Sequence, residues 1–500
     1  MRGFPPSFPP DRHQSPSNSL LSRSCSARPS QHKPTLLPAF LRILSATMVG
    51  LLQLPNEVLA IIFGGLDAQG FSALRLTSKY AKLATLPAFI SRYFQTRYIM
   101  LSRLSLENLV EIARHPDIGP AVRTLELCTD HFVEFPDSGF YTTRHEGDIL
   151  LAIQEGRCPP AALVASIDDS HSSGEEEDQS PGEEGQGTDE GSLSSQDSYR
   201  APLDKVAYTS LWEEQEHIIM SGLAQAYITQ ALISLTNIES VVISNMHRPW
   251  GALAHGRQTG LPPTNALDDF EEVPFLGQVL RITLTAIATS GAALSSLAIT
   301  AGLPREAITP DILRLSESHL QYYKNLPPSL TKLILNVSAE ATRGAEDRWA
   351  DDLSAFIRVF RQLTELDLVI KPVDFGLQVD RLKQLAPKLQ LPNLQCLGLY
   401  KAYCSVQDLG VFIVRHKATL QSVTLVRVGV SGGIGHWRSL FALIRDHLPR
   451  LGLSIKLCTA GGLALLCRVE HENGEEFEDC FDVGGSHEAW TAAIQLIQTR

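Results

Sequence analysis

The sequence predicts an α/β protein in which a small helical region precedes a long, irregular solenoid of alternating strands and helices. Three observations lead to this prediction. Six consecutive apolar residues, Val58 to Phe63, follow a proline that suits the start of a helix. A hexapeptide of the form apolar-x-x-apolar-x-apolar occurs seven times after residue 102. Amphipathic helical patterns lie between its copies.

The apolar run has the features of a helix that needs a partner. Pro55 has the fixed φ of a first helical turn, and Glu57 lies near the positive end of the helix dipole. A helix that is apolar on all sides must be covered on more than one side, and a region of about 50 residues buries little surface by itself. We therefore expect a partner protein to cover it; the alternative is the first unit of the solenoid. Residues 71–86 predict further helix, because their apolar positions have near-helical spacing.

The seven hexapeptides predict a repeating strand–turn–helix unit. In a strand, the fourth and sixth positions of the pattern point the same way. Helical patterns at 349–360 and 437–448 separate later copies. Such units cannot close a core alone, so neighbours stack into a solenoid. The last four intervals are close to the length of a leucine-rich repeat, and the first two require insertions. The copies begin at Val122, Ile238, Leu294, Leu330, Leu363, Leu394 and Leu420.

Composition divides the chain into five segments. The first is rich in Pro and Ser, and its prolines argue against a mitochondrial transit peptide. The fourth segment is acidic, and the first and fourth segments are both expected to be disordered. The sequence leaves open whether translation starts at Met1 or at Met48. The segments are a tail (1–47), a helical region (48–100), a first repeat-like segment (101–157), an acidic insertion (158–200) and a repeat domain (201–500).

Three serines of the acidic insertion are candidate phosphorylation sites. Ser173 and Ser194 each have an acidic residue three positions on, and Ser180 precedes a proline. A passive, solvated insertion is the alternative. The insertion also accounts for most of the net charge of −12, so the rest of the chain is close to neutral.

Charge, cysteine content and hydropathy indicate which classes of protein are not expected. Without a clustered basic face, nucleic-acid binding is not expected. Eight cysteines without paired spacing and no secretory signal indicate a reducing compartment, the cytoplasm and/or the nucleus. Residues 282–304 lack charge and are long enough to cross a bilayer. Their seven Ser/Thr residues and a Gly-Ala-Ala turn instead predict a soluble helix–turn–strand, and no membrane association is expected.

Two chemical patterns are weighed and set aside. Gly429-Val-Ser-Gly-Gly433 matches the nucleophile elbow of a serine hydrolase, with Ser431 as nucleophile and Asp479 or Asp482 and His487 as partners. The upstream chain has no oxyanion-loop signature, and glycines after a strand ordinarily serve the turn. Cys458, Cys467, His471 and Cys480 lack the short pairs typical of zinc sites. We therefore predict no catalytic residue, metal or cofactor.

The N-terminal residues resemble a known family. Leu54-Pro55-x-Glu57-Val58-Leu59-x-x-Ile62-Phe63-x-x-Leu66, followed by Phe71-x-x-Leu74-Arg75-Leu76-Thr77-Ser78-Lys79, resembles the F-box. Residues 106–125 are similar to the segment after the F-box in many filamentous-fungal F-box proteins. Over 230–460 the chain resembles, more loosely, a degenerate leucine-rich-repeat region. It departs from the family at Gly70 and at Gly64-Gly65, which the pattern places inside the helix.

This resemblance implies a substrate receptor of a cullin–RING ubiquitin ligase. The F-box would dock on a Skp-type adaptor and through it on cullin, while the repeat domain binds a protein substrate that the sequence does not identify. Such a receptor is not itself catalytic. A ligase-independent repeat scaffold is one alternative, and the hydrolase that uses Ser431 is a remote one. By resemblance, the adaptor-binding residues are Leu54, Pro55, Val58, Leu59, Ile62, Phe63, Leu66, Leu74 and Leu76.

Overall fold

The computed structural model describes ten stretches of the chain. The chain divides into two compact units, Met1–Ala88 and Phe89–Arg500. The predicted tail, the acidic insertion with its three candidate serines, and the start of the apolar run lie outside the described residues. The stretches are 61–66, 68–134, 204–247, 249–263, 273–301, 308–339, 348–371, 380–471, 474–484 and 486–499.

Short helices make up the described part of the first unit. Residues 61–64 are helical, followed by α1 (Ala68–Thr77) and α2 (Lys79–Ala84). The division between units falls within α3 (Leu86–Tyr93). Our placement of both glycines inside the first helix is wrong, because that helix ends at Gly64 and Gly65 lies in the turn that follows.

Polar residues of the Leu74–Lys79 motif connect α1 to α2. Ser78 has an extended backbone, and its hydroxyl accepts a hydrogen bond from the Ala81 amide at 3.0 Å, which caps α2. The Arg75 guanidinium donates to the Lys82 carbonyl at 3.3 Å and to the Thr85 hydroxyl at 3.2 Å. A cation is favourable at this negative end of a helix. Ser78 therefore starts α2, and Arg75 stabilises its end.

Sixteen strands form two sheets among the described residues of the second unit. All seven predicted strands are confirmed. In chain order the strands are β1 (Thr96–Ile99), β2 (Thr124–Cys128), β3 (Ser240–Ser244), β4 (Ser296–Ile299), β5 (Lys332–Ser338), β6 (Glu365–Lys371), β7 (Cys396–Tyr400), β8 (Tyr403–Cys404), β9 (Ser422–Val426), β10 (Gly429–Val430), β11 (Gly452–Lys456), β12 (Thr459–Ala460), β13 (Leu463–His471), β14 (Gly474–Glu478), β15 (Cys480–Val483) and β16 (Ile497–Thr499).

The larger sheet has ten strands that follow chain order, β1-β2-β3-β4-β5-β6-β7-β9-β11-β15. Every neighbouring pair is parallel except β11 and β15, which are antiparallel. The smaller sheet has the order β14-β13-β12-β10-β8, and β16 pairs with β13. In it, the two-residue strands β8, β10 and β12 pair in parallel.

Helices connect these strands. Their apolar residues join those of the large sheet in one buried cluster. The mostly parallel sheet and these helices make the described part of the second unit a mixed α/β structure. The helices are α4 (Arg103–Arg114), α5 (Lys205–Met220), α6 (Leu223–Ser234), α7 (Ala252–Thr259), α8 (Val273–Ser290), α9 (Glu317–Tyr322), α10 (Trp349–Ile357), α11 (Leu382–Leu385), α12 (Val406–Arg415), α13 (Ile434–His447) and α14 (His487–Leu496).

Register in the large sheet follows the hexapeptide pattern. The fourth position of each copy pairs with the fourth of the next, as Leu366 does with Leu397, and the sixth positions pair likewise. From β2 to β11 every residue in these two columns is at most 2% exposed. Because side chains alternate along a strand, the residues between them lie on the other face, called here the second face.

One carbonyl before each of the first seven strands of the large sheet fixes where the next strand of that sheet begins. The Gln95 carbonyl accepts hydrogen bonds from the amides of Arg123 and Thr124, and the Arg123 carbonyl accepts from Glu239 and Ser240. A single acceptor thus aligns the entry of the neighbouring strand. The carbonyls that repeat this pattern along the sheet are those of Glu239, Ser295, Thr331, Thr364 and Gln395.

The helix–turn–strand predicted for residues 282–304 is confirmed. Helix α8 ends at Ser290, Gly291 turns the chain with φ 65°, and β4 follows from Ser296. A positive φ is accessible to glycine without a steric penalty. Within the described residues, no helix has both the length and the apolar content needed to cross a membrane.

A substitution on the core face of the large sheet should lower stability more than one on the second face. We expect Leu368→Ala, in the fully buried sixth-position column, to lower the free energy of unfolding by about 2–5 kcal/mol through lost packing and a cavity. The control is Thr424→Ala on the second face, which should change it by less than about 0.5 kcal/mol. Urea unfolding followed by circular dichroism measures both, and equal effects would contradict the assignment of faces.

Candidate functional site

The structure describes five of the nine predicted adaptor-binding residues. Leu54, Pro55, Val58 and Leu59 lie outside the described residues. Ile62, Leu66 and Leu74 are half-buried, whereas Leu76 is 87% exposed. Phe63 is only 4% exposed and packs edge-on against Phe71, with ring centroids 5.9 Å apart. Phe63 therefore belongs to the packing of the unit, and Leu76 is the described member most open to a partner.

Three other apolar side chains of the first unit are also exposed to solvent. Tyr80 and Leu83 are three residues apart on α2 and so share a face. Sequence reasoning missed Ile61, Tyr80 and Leu83, although the spacing of the last two could have indicated an outward apolar face. These side chains with Leu76, called here the N-terminal apolar surface, are 76% (Ile61), 87% (Leu76), 62% (Tyr80) and 67% (Leu83) exposed.

A group of polar side chains lies on the second face of the large sheet, in the middle strands. The Lys332 ammonium on β5 lies 3.1 Å from a Glu365 carboxylate oxygen and 3.9 Å from one of Asp367, both on β6. The Tyr400 hydroxyl on β7 donates to the Asp367 carboxylate at 3.5 Å. These four residues, called here the central polar cluster, connect three neighbouring strands.

A glycine makes room for this cluster. Gly398 lies between Asp367 and Thr424 in the pairing of the sheet. A Cβ atom at Gly398 would lie 2.1 Å from the Asp367 Oδ1 atom and 2.7 Å from a ring carbon of Tyr400. Any side chain there would displace both groups. The absence of a side chain at Gly398 is therefore what allows Asp367 and Tyr400 to meet.

Burial changes the titration of the central polar cluster. Burial raises the pKa of Asp367 above its ordinary value, although Lys332 and Tyr400 oppose that shift. The hydrogen bond to Glu365 raises the pKa of Lys332, and burial raises the pKa of Tyr400. The cluster thus holds partly desolvated charges that a polar partner could contact.

A shallow cavity of about 460 Å³ lies farther along the sheet, across β9, β11 and β15. Small side chains line it on the second face, among them Ser422, Thr424 and Ser454. Asp482 on β15 pairs with Ser454 and is exposed. Together with the central polar cluster, this cavity gives the second face polar groups from β5 to β15.

Residues of the serine and cysteine patterns form the following contacts in the described chain. The Ser431 amide donates to the Cys404 carbonyl after β10, and in the described chain no histidine is hydrogen-bonded to its hydroxyl. The Cys458 thiol is buried and donates to the Leu425 carbonyl at 3.5 Å, while Cys480 is exposed. Among the described residues, no three His, Cys, Asp or Glu side chains are grouped as metal ligands would be.

Comparisons with known proteins add no family to this geometry. Neither the protein-family models nor the curated proteins give a match to this chain. The functional inference therefore depends on the N-terminal apolar surface and on the second face.

Substitution of Gly398 should disrupt the central polar cluster. We expect Gly398→Ala to lower the free energy of unfolding by about 1–2 kcal/mol, because the new methyl group displaces Asp367 and Tyr400. In an Asp367→Ala background the same change should cost at least about 0.5 kcal/mol less. The matched control is Gly452→Ala on the same face, where the nearest atom to a Cβ is 3.8 Å away and little change is expected. Equal losses in both backgrounds would contradict the steric explanation.

The raised pKa of Asp367 predicts a pH dependence of stability. The folded state binds this proton more tightly than the unfolded state, so the stabilising contribution is complete below the ordinary pKa of 3.8. It is lost as pH rises through the raised pKa of the folded state. Relative to the wild type, Asp367→Asn should remove this decline, as measured by urea unfolding at a series of pH values. A wild-type stability that rises relative to the variant over this range would contradict the direction of the shift.

Proposed function

We propose that the protein is the substrate receptor of a cullin–RING ubiquitin ligase, with an F-box in the first unit and a leucine-rich-repeat solenoid in the second. In this function the N-terminal apolar surface docks on a Skp-type adaptor, and the second face of the large sheet binds the substrate. The observation that carries the proposal is the exposure of large apolar side chains in a small helical unit.

That exposure is concentrated. Four of the sixteen exposed large hydrophobic side chains among the described residues belong to the first unit, which contributes less than a tenth of those residues. Contiguous exposed apolar side chains are typical of protein-binding surfaces, and Tyr80 and Leu83 share one face of α2. The Leu74–Lys79 motif supports the F-box interpretation, because Arg75 and Ser78 position α2 while Leu76 is left open.

Strand order supports the solenoid. Consecutive strands along the chain are neighbours in the large sheet, and both leucine columns stay in register from β2 to β11. Helices between strands and a repeated aligning carbonyl before β1 to β7 are what a stack of similar units produces. The insertion expected between the first two copies falls between β2 and β3.

In this function the chain would hold the substrate in place and would not itself make or break a bond. A receptor that holds a substrate beside a ubiquitin-loaded enzyme raises the effective concentration of the two reactants. The central polar cluster supplies charged groups and hydrogen-bond partners for such a substrate, and the cavity beyond it supplies space.

Binding of purified Skp-type adaptor tests the proposal. We expect the full-length protein to bind it in isothermal titration calorimetry, and Leu76→Asp to weaken binding by at least about tenfold, or about 1.4 kcal/mol. The matched control is Leu253→Asp, which places the same charge at an exposed leucine of α7, outside the N-terminal apolar surface. Because both positions are exposed, neither change should unfold the protein, and circular dichroism checks this.

Two results would overturn the receptor. If the wild-type protein does not bind the adaptor but still captures other partners through the second face, it is a ligase-independent scaffold. If Leu76→Asp binds as tightly as the wild type, adaptor docking does not use the F-box-like surface.

A further inference from the structure

Three successive strands of the large sheet end in the same unusual turn. Lys401 follows β7 with φ 55°, Arg427 follows β9 with φ 54°, and Leu457 follows β11 with φ 52°. Each turn leads into a two-residue strand of the smaller sheet, β8, β10 or β12. The Lys401 amide donates to the Val426 carbonyl, and the Arg427 amide donates to the Lys456 carbonyl. The turns are therefore neighbours, in register, at the carboxyl edge of the sheet.

The residues in these turns are not those that the backbone favours. A positive φ suits glycine and, less well, asparagine, whereas a long side chain is strained there. Leu457 shows that the turn forms without a cation. Two neighbouring turns nevertheless carry Lys401 and Arg427, and Lys456 lies beside them at the end of β11. Since the same strained turn forms at Leu457, the backbone conformation does not explain why the other two turns carry cations.

Lys401, Arg427 and Lys456 are called here the basic ridge. Within the described residues, none of the three forms an ion pair. Arg427 and Lys456 are exposed and Lys401 is half-buried. Like charges on neighbouring strands repel one another, so the arrangement is unfavourable without a partner.

The following carboxylates near the basic ridge either contact other residues or lie to one side of the ridge. Asp367 contacts Lys332 and Tyr400 in the central polar cluster. Asp482 pairs with Ser454, two residues back along β11 from the ridge, and the Asp479 carboxyl interacts with the Cys480 thiol. Among the described carboxylates, none forms an ion pair with the ridge, which lies at the carboxyl edge of the large sheet.

We propose that the basic ridge docks an extended, acidic segment of a protein partner. The inference rests on the proposed receptor function, for which it names the substrate class. Neighbouring strands are about 4.8 Å apart, and alternate side chains of an extended chain are about 6.7 Å apart on one side. Long Lys and Arg side chains cover that difference, so carboxylates at alternate positions can each meet a cation of the ridge.

A variant that removes charge and relieves backbone strain at the same positions tests this docking. Lys401→Gly with Arg427→Gly removes two charges and at the same time replaces strained residues by the one that favours a positive φ. We expect its urea midpoint to equal or exceed that of the wild type. Its affinity for a fluorescein-labelled peptide of alternating Glu and Ser should fall by about tenfold at low salt in fluorescence anisotropy. Added salt should weaken wild-type binding, because it screens exposed charges.

Two control variants separate charge from conformation. Leu457→Gly relieves the same strain without a change of charge, and Lys417→Gln removes a charge from an exposed lysine that precedes β9. Both should bind the acidic peptide like the wild type. A peptide with Lys in place of Glu should not bind.

Several outcomes would overturn the proposal. They are no binding of the acidic peptide, equal binding by the double glycine variant, loss of binding in Leu457→Gly, or binding only of a phosphoserine peptide or an oligonucleotide. Adaptor binding is measured on the same preparations. If the acidic peptide does not bind but the adaptor does, the proposed receptor function stands. If the acidic peptide binds but the adaptor does not, only the receptor function is refuted.

Discussion

Parallel pairing between consecutive strands is the constraint on which the second unit depends. From β1 to β7, one carbonyl before each strand receives two amides of the next strand in the sheet, so these neighbours enter the sheet at the same level. That shared level brings the two leucine columns into register, and the columns then bury themselves with the helices in one cluster. A shift of one residue in any strand would turn its leucines to the opposite face.

The same constraint places the polar side chains of the second face. Residues between the leucines must all lie on the second face, whatever their chemistry. Lys332, Glu365 and Asp367 therefore meet across two strands that are 33 residues apart in sequence. Register also aligns the turns after β7, β9 and β11, which places Lys401 beside Arg427. The core thus determines positions, and the identities of the intervening residues determine what those positions can bind.

Sequence alone predicted the strands that obey the leucine pattern and missed most of the others. In β1, Arg97 takes the place of the leucine and is buried with its guanidinium 5.1 Å from the rings of Phe94 and Trp250. A cation at a core position cannot be expected without knowledge of the rings that receive it. In β11, register places Arg450 at the first position of the pattern, which hid an eighth copy. Two-residue strands such as β8 and β10 are too short to show any periodicity.

The candidate sites were predictable to different degrees. Aligning the seven hexapeptides on their leucines would have placed Lys332 beside Glu365, because both occupy the third position. No pattern indicated that Gly398 leaves space for Asp367, since that depends on a contact between strands. In the first unit, resemblance predicted Leu76 as an adaptor contact, whereas the outward direction of Tyr80 and Leu83 depends on the break at Ser78.

Pairing in chain order also bears on how such a chain can lengthen. Each strand of the large sheet needs only its predecessor and its successor, so additional residues between two strands need not disturb any other pair. The connection from β2 to β3 contains more than a hundred residues, yet Leu125 and Val241 pair in the common register. Closing a longer loop costs little extra entropy, since the cost grows only with the logarithm of loop length. Evolution can therefore enlarge one connection into a new surface while the sheet that carries it keeps its geometry.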